Sequence, residues 1–366
     1  MIRVLLIHAD NIPHYRVPIY SYLAKYLERY GFSLMVLSDG IQSDNPHEIT
    51  FQLAEMPLST IKIARFIYEK HIDIIIDYME LRHLYLFPTY LIAKGIMRKK
   101  IIYWGQGCDL ADTKAIIKNL AYATEQSLSN AIILYAEHLK KYVPGCLHKK
   151  VFIANNTLCI DYTGLPAGLT RQDILAQYGI NTKKNIICMG RMQKRKRVDV
   201  IVKALNLMNR PDVGLILVGP DTEGILDEIK DSNIYKLGPI YGHKKFDLIS
   251  AADICCLPGA VGLSIIDAFH CGIPFVTEEG DESAEIMYLK HGINGFIVKR
   301  GDIQDMATKL TLLIDNDGLR SNFSSAAKRE IDENGRIENM CSGFRDALYY
   351  VTGKPKDDFI TQESTC

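Results

Sequence analysis

Short runs of β-branched and aliphatic residues alternate with amphipathic segments along almost the whole chain, and the pattern runs through twice. In the first half the runs are IRVLLI (2–7), SLMVL (33–37), DIIID (73–77), KIIYW (100–104), AIILY (131–135) and KVFIA (150–154). Segments of helical periodicity lie between them at 17–30, 59–71, 82–95 and 113–130. After residue 170 the pattern restarts with NIICMG, VGLILVG, NIYKLG, DICCLP, IPFV and GFIV, again separated by helix-like stretches. Such alternation gives a parallel sheet covered by helices on both faces. The expected fold class is therefore α/β, with two doubly wound domains. The Gly-, Pro- and Thr-rich stretch 155–173 reads as the linker, and 302–350 as a last pair of long helices. The expected partition is 1–165, 166–335, a helix at 336–350 returning to the first domain, and a polar tail at 351–366.

A length of 366 residues suits about two domains. With 48% hydrophobic and 23% charged residues, the chain has ample core and is not disordered. Its formal net charge is zero, so no nucleic-acid partner is expected. Basic clusters at Arg98, Lys99, Lys100 and at Lys140, Lys141, His148, Lys149, Lys150 read most simply as solvated ends of elements. The sharper reading is a face that touches an anionic membrane. The nine cysteines follow no CxxC spacing, which points to a reducing cytoplasm and away from disulfides or a zinc site. MIRVLLIHADNIP is too short an apolar stretch for a signal peptide and reads as a first strand. No apolar run approaches the roughly 20 residues that cross a membrane.

In open parallel sheets, ligands bind beyond the carboxyl ends of the strands, where helix N-termini offer backbone amides. NIICMGRMQKRKRVDVIVKAL places Gly190 and Arg191 at a strand end and Lys196 just before a helix. An Arg fork and a Lys point charge there suit a diphosphate. A basic surface loop is the plainer alternative, since Lys194, Arg195 and Arg197 share the segment. Gly219 closes the next strand, and Gly238, Pro239 and Ile240 form a loop that can meet a nucleobase. Taken singly, each is also an ordinary turn. LPGAVGLSIIDAFHCGIPFV (257–276) adds Gly262, where backbone can approach a ligand closely, and the Leu263 and Ser264 amides. Asp267, one helical turn in, can accept two hydrogen bonds from a vicinal diol. The plainer alternative is that Ser264 caps the helix and Asp267 is a solvated acid. The almost wholly apolar segment around them argues against it.

GRMQKRKRVD, with Gly190, Arg191, Lys196 and Asp199 in register, resembles the Gly-Arg-…-Lys-Gly-…-Asp segment of the retaining glycosyltransferase family 4. AADICCLPGAVGLSIIDAFHCGIPFV and ESAEIMYLKHGINGFIVKRGD resemble that family's following segments, so the resemblance runs from about 185 to 330. IPHYRVPIYSYLAK and YWGQG (103–107) are similar to the acceptor side of capsule, lipopolysaccharide and exopolysaccharide glycosyltransferases. The resemblance implies a GT-B fold: two Rossmann-like domains with parallel sheets facing across a cleft. It also implies a nucleotide-diphosphate sugar donor, most readily a UDP-sugar, and a glycan or lipid-linked glycan acceptor. Arg191 and Lys196 would be the catalytic cations on the donor diphosphate, helped by the Leu263 and Ser264 amides. Asp267 would hold the ribose, and Ile240 would meet the base. Glu285 stands at a later family Glu that orders a loop. Asn11, His14, Arg16, Gln106 and Asp109 would lie on the acceptor side.

Three departures from the family pattern stand out. The first Glu of the family's pair falls at Gly259, the second is the shorter Asp267, and Gln106 replaces a His and so cannot act as a base. The implied mechanism is a front-face displacement in which the donor phosphate takes the acceptor proton, with charge stabilisation concentrated in the transition state. No cofactor and no metal are expected, since two cations already face the phosphates. Asp315–Asn316–Asp317 reads as a turn between helices. His8 reads as a satisfied half-buried histidine, and Tyr103 and Trp104 as core. The rival readings are a GT-B binding protein without turnover and a GT-B sugar-nucleotide epimerase. A dinucleotide oxidoreductase is disfavoured because IHADNIPHYR stands where a GxGxxG would be.

Overall fold

The computed structural model describes residues 1–354 apart from 78–80, 111, 114, 167 and 281–282. The expected tail beyond 354 lies outside the described residues. The chain divides into two units, Met1–Cys159 with the chain from Arg336 on, and Ile160–Gly335. Tyr162, expected in the first domain, packs in the second unit: its ring stacks on Phe246 and its hydroxyl donates to Asp247 at 3.1 Å.

The first unit holds seven strands: β1 (Ile2–Ile12), β2 (Phe32–Ile41), β3 (Gln52–Glu55), β4 (Ile74–Asp77), β5 (Lys100–Gly105), β6 (Ala131–Leu134) and β7 (Val151–Ile153). Their order is β3-β2-β1-β4-β5-β6-β7, and every pairing is parallel. β1 continues past its apolar run because Asp10 turns left-handed (φ 64°). The register shifts there, and Asn11 and Ile12 pair with Gly40 and Ile41. β3, QLAE, was not expected; it is a polar edge strand with no buried residue. The helices are α1 (Arg16–Glu28), α2 (Thr60–Glu69), α3 (Phe87–Leu91) and α4 (Ile116–Leu128). The single helix expected over 82–95 is instead a 3-10 turn, α3 and a π-turn (Ile92–Ile96). Pro88 is the cause: it opens a helix at its first turn but cannot sit inside one.

The second unit has six parallel strands: β8 (Lys184–Met189), β9 (Val213–Val218), β10 (Ile234–Gly238), β11 (Ile254–Cys256), β12 (Phe275–Glu278) and β13 (Gly295–Val298). Their order, β10-β9-β8-β11-β12-β13, reverses direction between β8 and β11. That pair of strand ends is the switch point at which doubly wound sheets bind ligands. β9 is buried along its whole length, as a central parallel strand covered on both faces must be. The helices are α5 (Arg171–Gln177), α6 (Val198–Met208), α7 (Gly242–Ser250), α8 (Ser264–His270), α9 (Ile303–Asp315) and α10 (Asp317–Glu330).

The expected final pair of helices is three: α9, α10 and α11 (Ile337–Thr352). Asn316 separates the first two, its side chain capping α10 through the Leu319 amide at 2.8 Å. α11 belongs to the first unit. A Cβ on Gly343 would lie 2.1 Å from the Ile153 carbonyl, so only glycine allows this contact with β7. Beside it Phe344 meets the buried Trp104 edge-on at 5.0 Å. Burying a side chain of this size contributes roughly 1.5–3 kcal/mol. None of the eight described cysteines is in a disulfide; burial pushes the Cys188 thiol up to about 12 and keeps it unreactive.

Candidate active site

The ends of β8, β9 and β10 are laced together by backbone. Gly190 N donates to Val218 O at 2.9 Å, and Gly219 N donates to Gly238 O at 2.8 Å. A Cβ on Gly219 would stand 1.9 Å from the Gly190 carbonyl, and both glycines have positive φ (141° and 117°). The register Ile187↔Cys255 places the chain leaving β11 beside the one leaving β8. The two touch through backbone: Gly259 N donates to Lys196 O at 3.1 Å and Ala260 N to Arg195 O at 3.3 Å. A Cβ on Gly259 would stand 1.9 Å from the Arg195 carbonyl, so a family-type Glu has no room in this arrangement.

Lys196 ends the 3-10 turn Lys194–Lys196 and is only 7% exposed. Its ammonium donates to the Ala260 carbonyl. The same ammonium lies 4.0 Å from the position of a Cβ on Gly190 and 3.9 Å from one on Gly262. Ser264 Oγ lies 3.7 Å from the Gly190 Cβ position. Ser264 is not a helix cap: it is the first residue of α8 and donates its hydroxyl to Met189 O at 3.2 Å. Four residues singled out in the sequence, Gly190, Lys196, Gly262 and Ser264, therefore converge. Leu263 stands at the N-cap of α8, which has no side-chain cap there. Arg191 is exposed and makes no hydrogen bond or ion pair among the described residues. Asp267 is buried in α8 and accepts from Lys245 Nζ of α7 at 2.8 Å. Pro239 and Ile240 leave the end of β10, exposed and half-buried respectively. Glu285 is buried in the 3-10 turn Ala284–Tyr288.

In the first unit, Asn11 is exposed in the last turn of β1 and Gln106 is half-buried just past β5. His14 meets Tyr15 edge-on at 5.8 Å, and Asp109 accepts from Lys118 Nζ at 2.7 Å. Arg16 departs from the expectation of an acceptor-facing cation. It is buried, with its guanidinium 5.1 Å from the Trp104 ring centre and donating to Tyr135 Oη at 3.4 Å. An Arg stacked this way fastens the start of α1 to an aromatic cluster. His8 is satisfied by Tyr20 Oη at 2.7 Å, and Tyr103 and Trp104 are core. Glu125 of α4 is a buried acid that sequence reasoning missed. Burial, followed by the charge of Asp77, pushes its carboxyl well above the usual carboxylate range.

Among the described residues no group of three or more His, Cys, Asp or Glu could hold a metal ion. Asp315 pairs with Arg210 at 2.9 Å, and Asp317 pairs with Lys184 and Arg320, at the junction of α9 and α10. No helix among the described residues is long and apolar enough to cross a membrane.

Residues 170–330 match the family described as glycosyl transferases group 1. Among solved structures, Alr3699/HepE of Anabaena in complex with UDP-glucose superposes with a TM-score of 0.74 at 16% identity, covering 95% of this chain and 99% of that one. A glycosyltransferase from Rickettsia africae superposes with a TM-score of 0.75 at 17% identity, covering 97% and 99%. The chain has the GT-B fold. Among curated proteins, the uncharacterized glycosyltransferase MJ1069 of Methanocaldococcus jannaschii is 24% identical over 258 residues, which is 65% of this chain. The chain spans 64% of that relative's length.

Within this GT-B chain, sequence reasoning also missed Lys245 and Glu278, and it read Arg197 only as part of a basic surface loop. Lys245 sits in YGHKKFDLI beside a second lysine, and nothing local separates the two. Arg197 follows Lys196 where the related segment carries Gly. It adopts the left-handed conformation (φ 53°, ψ 43°) that such a glycine would take freely. Its Nη1 lies 2.8 Å from Oε2 of Glu278, whose side chain is buried at the end of β12. Ion pairs between elements 81 residues apart leave no periodic signal in a sequence.

Proposed function

We propose that the chain is a retaining glycosyltransferase. It moves a sugar from a nucleotide-diphosphate donor, a UDP-sugar, to a glycan or lipid-linked glycan in surface polysaccharide biosynthesis. The observation that carries this reading is the convergence of the Lys196 ammonium with Gly190, Gly262 and Ser264 at the switch point of the second sheet. A cation held there in a poorly solvated setting favours the charge that grows on a departing diphosphate. Arg191, exposed at the same strand end, supplies a second cation. Asp267 has one carboxylate oxygen on Lys245 and offers the other to the ribose hydroxyls. The backbone at Pro239 and Ile240 receives the base.

In the proposed step the bond from the anomeric carbon to the diphosphate oxygen breaks while the acceptor oxygen bonds to the same face. The departing phosphate takes the acceptor proton, and Arg191 and Lys196 hold the resulting negative charge. The proposed step uses no metal. On the acceptor side Asn11, His14, Gln106 and Asp109 orient the glycan. A cytoplasmic protein that touches an anionic membrane is part of the same reading, supported by Ile116, Ile117 and Leu120 of α4, which are 82%, 85% and 65% exposed.

A thermal-shift panel of nucleoside diphosphates and nucleotide sugars, followed by transfer assays with and without EDTA, tests the proposal. Stabilisation by UDP, EDTA-insensitive transfer and retained anomeric configuration support it. Tight nucleotide binding without transfer or donor hydrolysis would favour a binding protein. A new sugar nucleotide formed without acceptor would favour an epimerase. Failure to bind vesicles containing anionic lipid at low salt removes the membrane contact alone.

A further inference from the structure

The turn that carries Lys196 is held from two directions. On one side the chain leaving β11 lies against it, with Gly259 and Ala260 donating to the Lys196 and Arg195 carbonyls. On the other side is Glu278. Its Oε1 accepts from the Gly301 amide at 2.7 Å, which fixes the carboxylate, and its Oε2 faces the Arg197 guanidinium at 2.8 Å. This contact is an ion pair without hydrogen-bond alignment, so it pulls on Arg197 through charge. Arg197 is the residue that needs holding, because a left-handed conformation is unfavourable for a side chain with a Cβ. It is also the N-cap of α6, and its side chain gives that helix no cap. If Arg197 relaxed, Lys196, one peptide away, would move with it.

We propose that Glu278 is a positioning residue for phosphate recognition: it holds Arg197 left-handed and so keeps the Lys196 ammonium beside Gly190 and Gly262. The proposal rests on the reading of Lys196 as a phosphate ligand given above. Nothing requires Glu278 to touch the nucleotide. Its effect is therefore confined to the phosphate part of the ligand.

The test compares UDP with uridine, the first by calorimetry and the second by NMR titration, on the full chain. Glu278→Gln is expected to weaken UDP binding by about tenfold or more, the loss of one charge-assisted contact, and to leave uridine binding unchanged. Adding Arg197→Gly to Glu278→Gln is expected to return UDP affinity to within about threefold of the parent, because glycine takes the left-handed turn without help. Equal losses for UDP and uridine, unchanged UDP affinity in Glu278→Gln, or no rescue in the double variant each overturn the proposal. If Glu278→Gln does not fold, the double variant decides alone: UDP affinity near the parent supports the clamp, and any larger loss overturns it. Lys196→Ala separates the two levels. If it binds UDP as the parent does, the reading of Lys196 fails rather than the clamp.

Discussion

Gly259 stands where the family pattern places a donor-binding Glu, so Gly259→Glu invites the expectation of a gain. The backbone geometry gives the opposite answer. A Cβ at 259 would lie 1.9 Å from the Arg195 carbonyl oxygen, where 3.0 Å is already the tight limit. The chain leaving β11 and the 193–197 turn must separate by more than an ångström. Overpacking of this kind costs about 1–3 kcal/mol. The two hydrogen bonds joining the segments, at 3.1 and 3.3 Å, stretch or break and cost about 1 kcal/mol each. A combined loss of about 3–5 kcal/mol in a unit of this size lowers its Tm by roughly 6–20 °C. The same movement displaces Lys196, and an ångström of misplacement lowers turnover by about 100-fold. Gly259→Ala and Gly259→Glu should both show the thermal shift by differential scanning fluorimetry and the rate loss in a donor-turnover assay. Gly262→Ala is the control for the thermal shift alone: its Cβ would meet only the Lys196 ammonium, at 3.9 Å, and the cost is the left-handed strain of about 1 kcal/mol. A Gly259→Glu protein with parental Tm and rate, or one that turns over faster, would refute the reasoning.

Lys196→Ala and Arg191→Ala should each cut donor turnover by about two orders of magnitude or more, as when one transition-state charge contact is removed; near-parental rates in both would end the assignment. Lys245→Met leaves the Asp267 carboxylate without this partner. Because Lys245 keeps 25% of its side chain in solvent, the expected destabilisation is about 1–3 kcal/mol, below the range for a fully buried pair. Adding Asp267→Asn should regain stability by chemical denaturation but not UDP affinity. For Glu125 the sign follows from its raised pKa. Between the unfolded value near 4.5 and the folded one, only the native state keeps the proton, so stability falls as pH rises through that window. The slope is about 1.4 kcal/mol per pH unit. Glu125→Gln should remove this slope in urea titrations and be more stable than the parent at pH 8; an unchanged slope would place the effect elsewhere.

The parallel strands were legible because each is a continuous apolar run bounded by turn residues, and all twelve expected runs are strands. β3 was not, because an edge strand with the sequence QLAE has no buried face to write a pattern. The convergence of four residues in the second unit was legible for a different reason. Gly190, Lys196, Gly262 and Ser264 sit at strand ends or helix starts, and a strand–turn–helix junction declares where its backbone must bend. The burial of Arg16 was not legible, since a cation at the start of α1 looks the same in sequence whether it faces solvent or lies on Trp104. Lys245, Glu278 and Glu125 were invisible because their partners come from other elements, and a sequence records spacing along the chain rather than across it.

The pairing of Arg197 with Glu278 and the glycine of the related segment are two solutions to one geometric demand, and their energies show why they are not interchangeable singly. The left-handed conformation costs a non-glycine residue about 1–2 kcal/mol. Removing one member of a buried ion pair costs more, about 3–5 kcal/mol where both are buried, because a charge is left behind. Arg197 is 25% exposed and Glu278 only 1%, so the penalty falls mainly on the glutamate. Arg197→Gly alone therefore relieves the smaller strain and exposes the larger cost, and Glu278→Gln alone leaves the strain without its restraint. Only the double change reaches the other solution. A chain that moved between them one substitution at a time would pass through a loosened Lys196, which ties the choice of residue at 197 to the proposed phosphate contact rather than to the stability of α6.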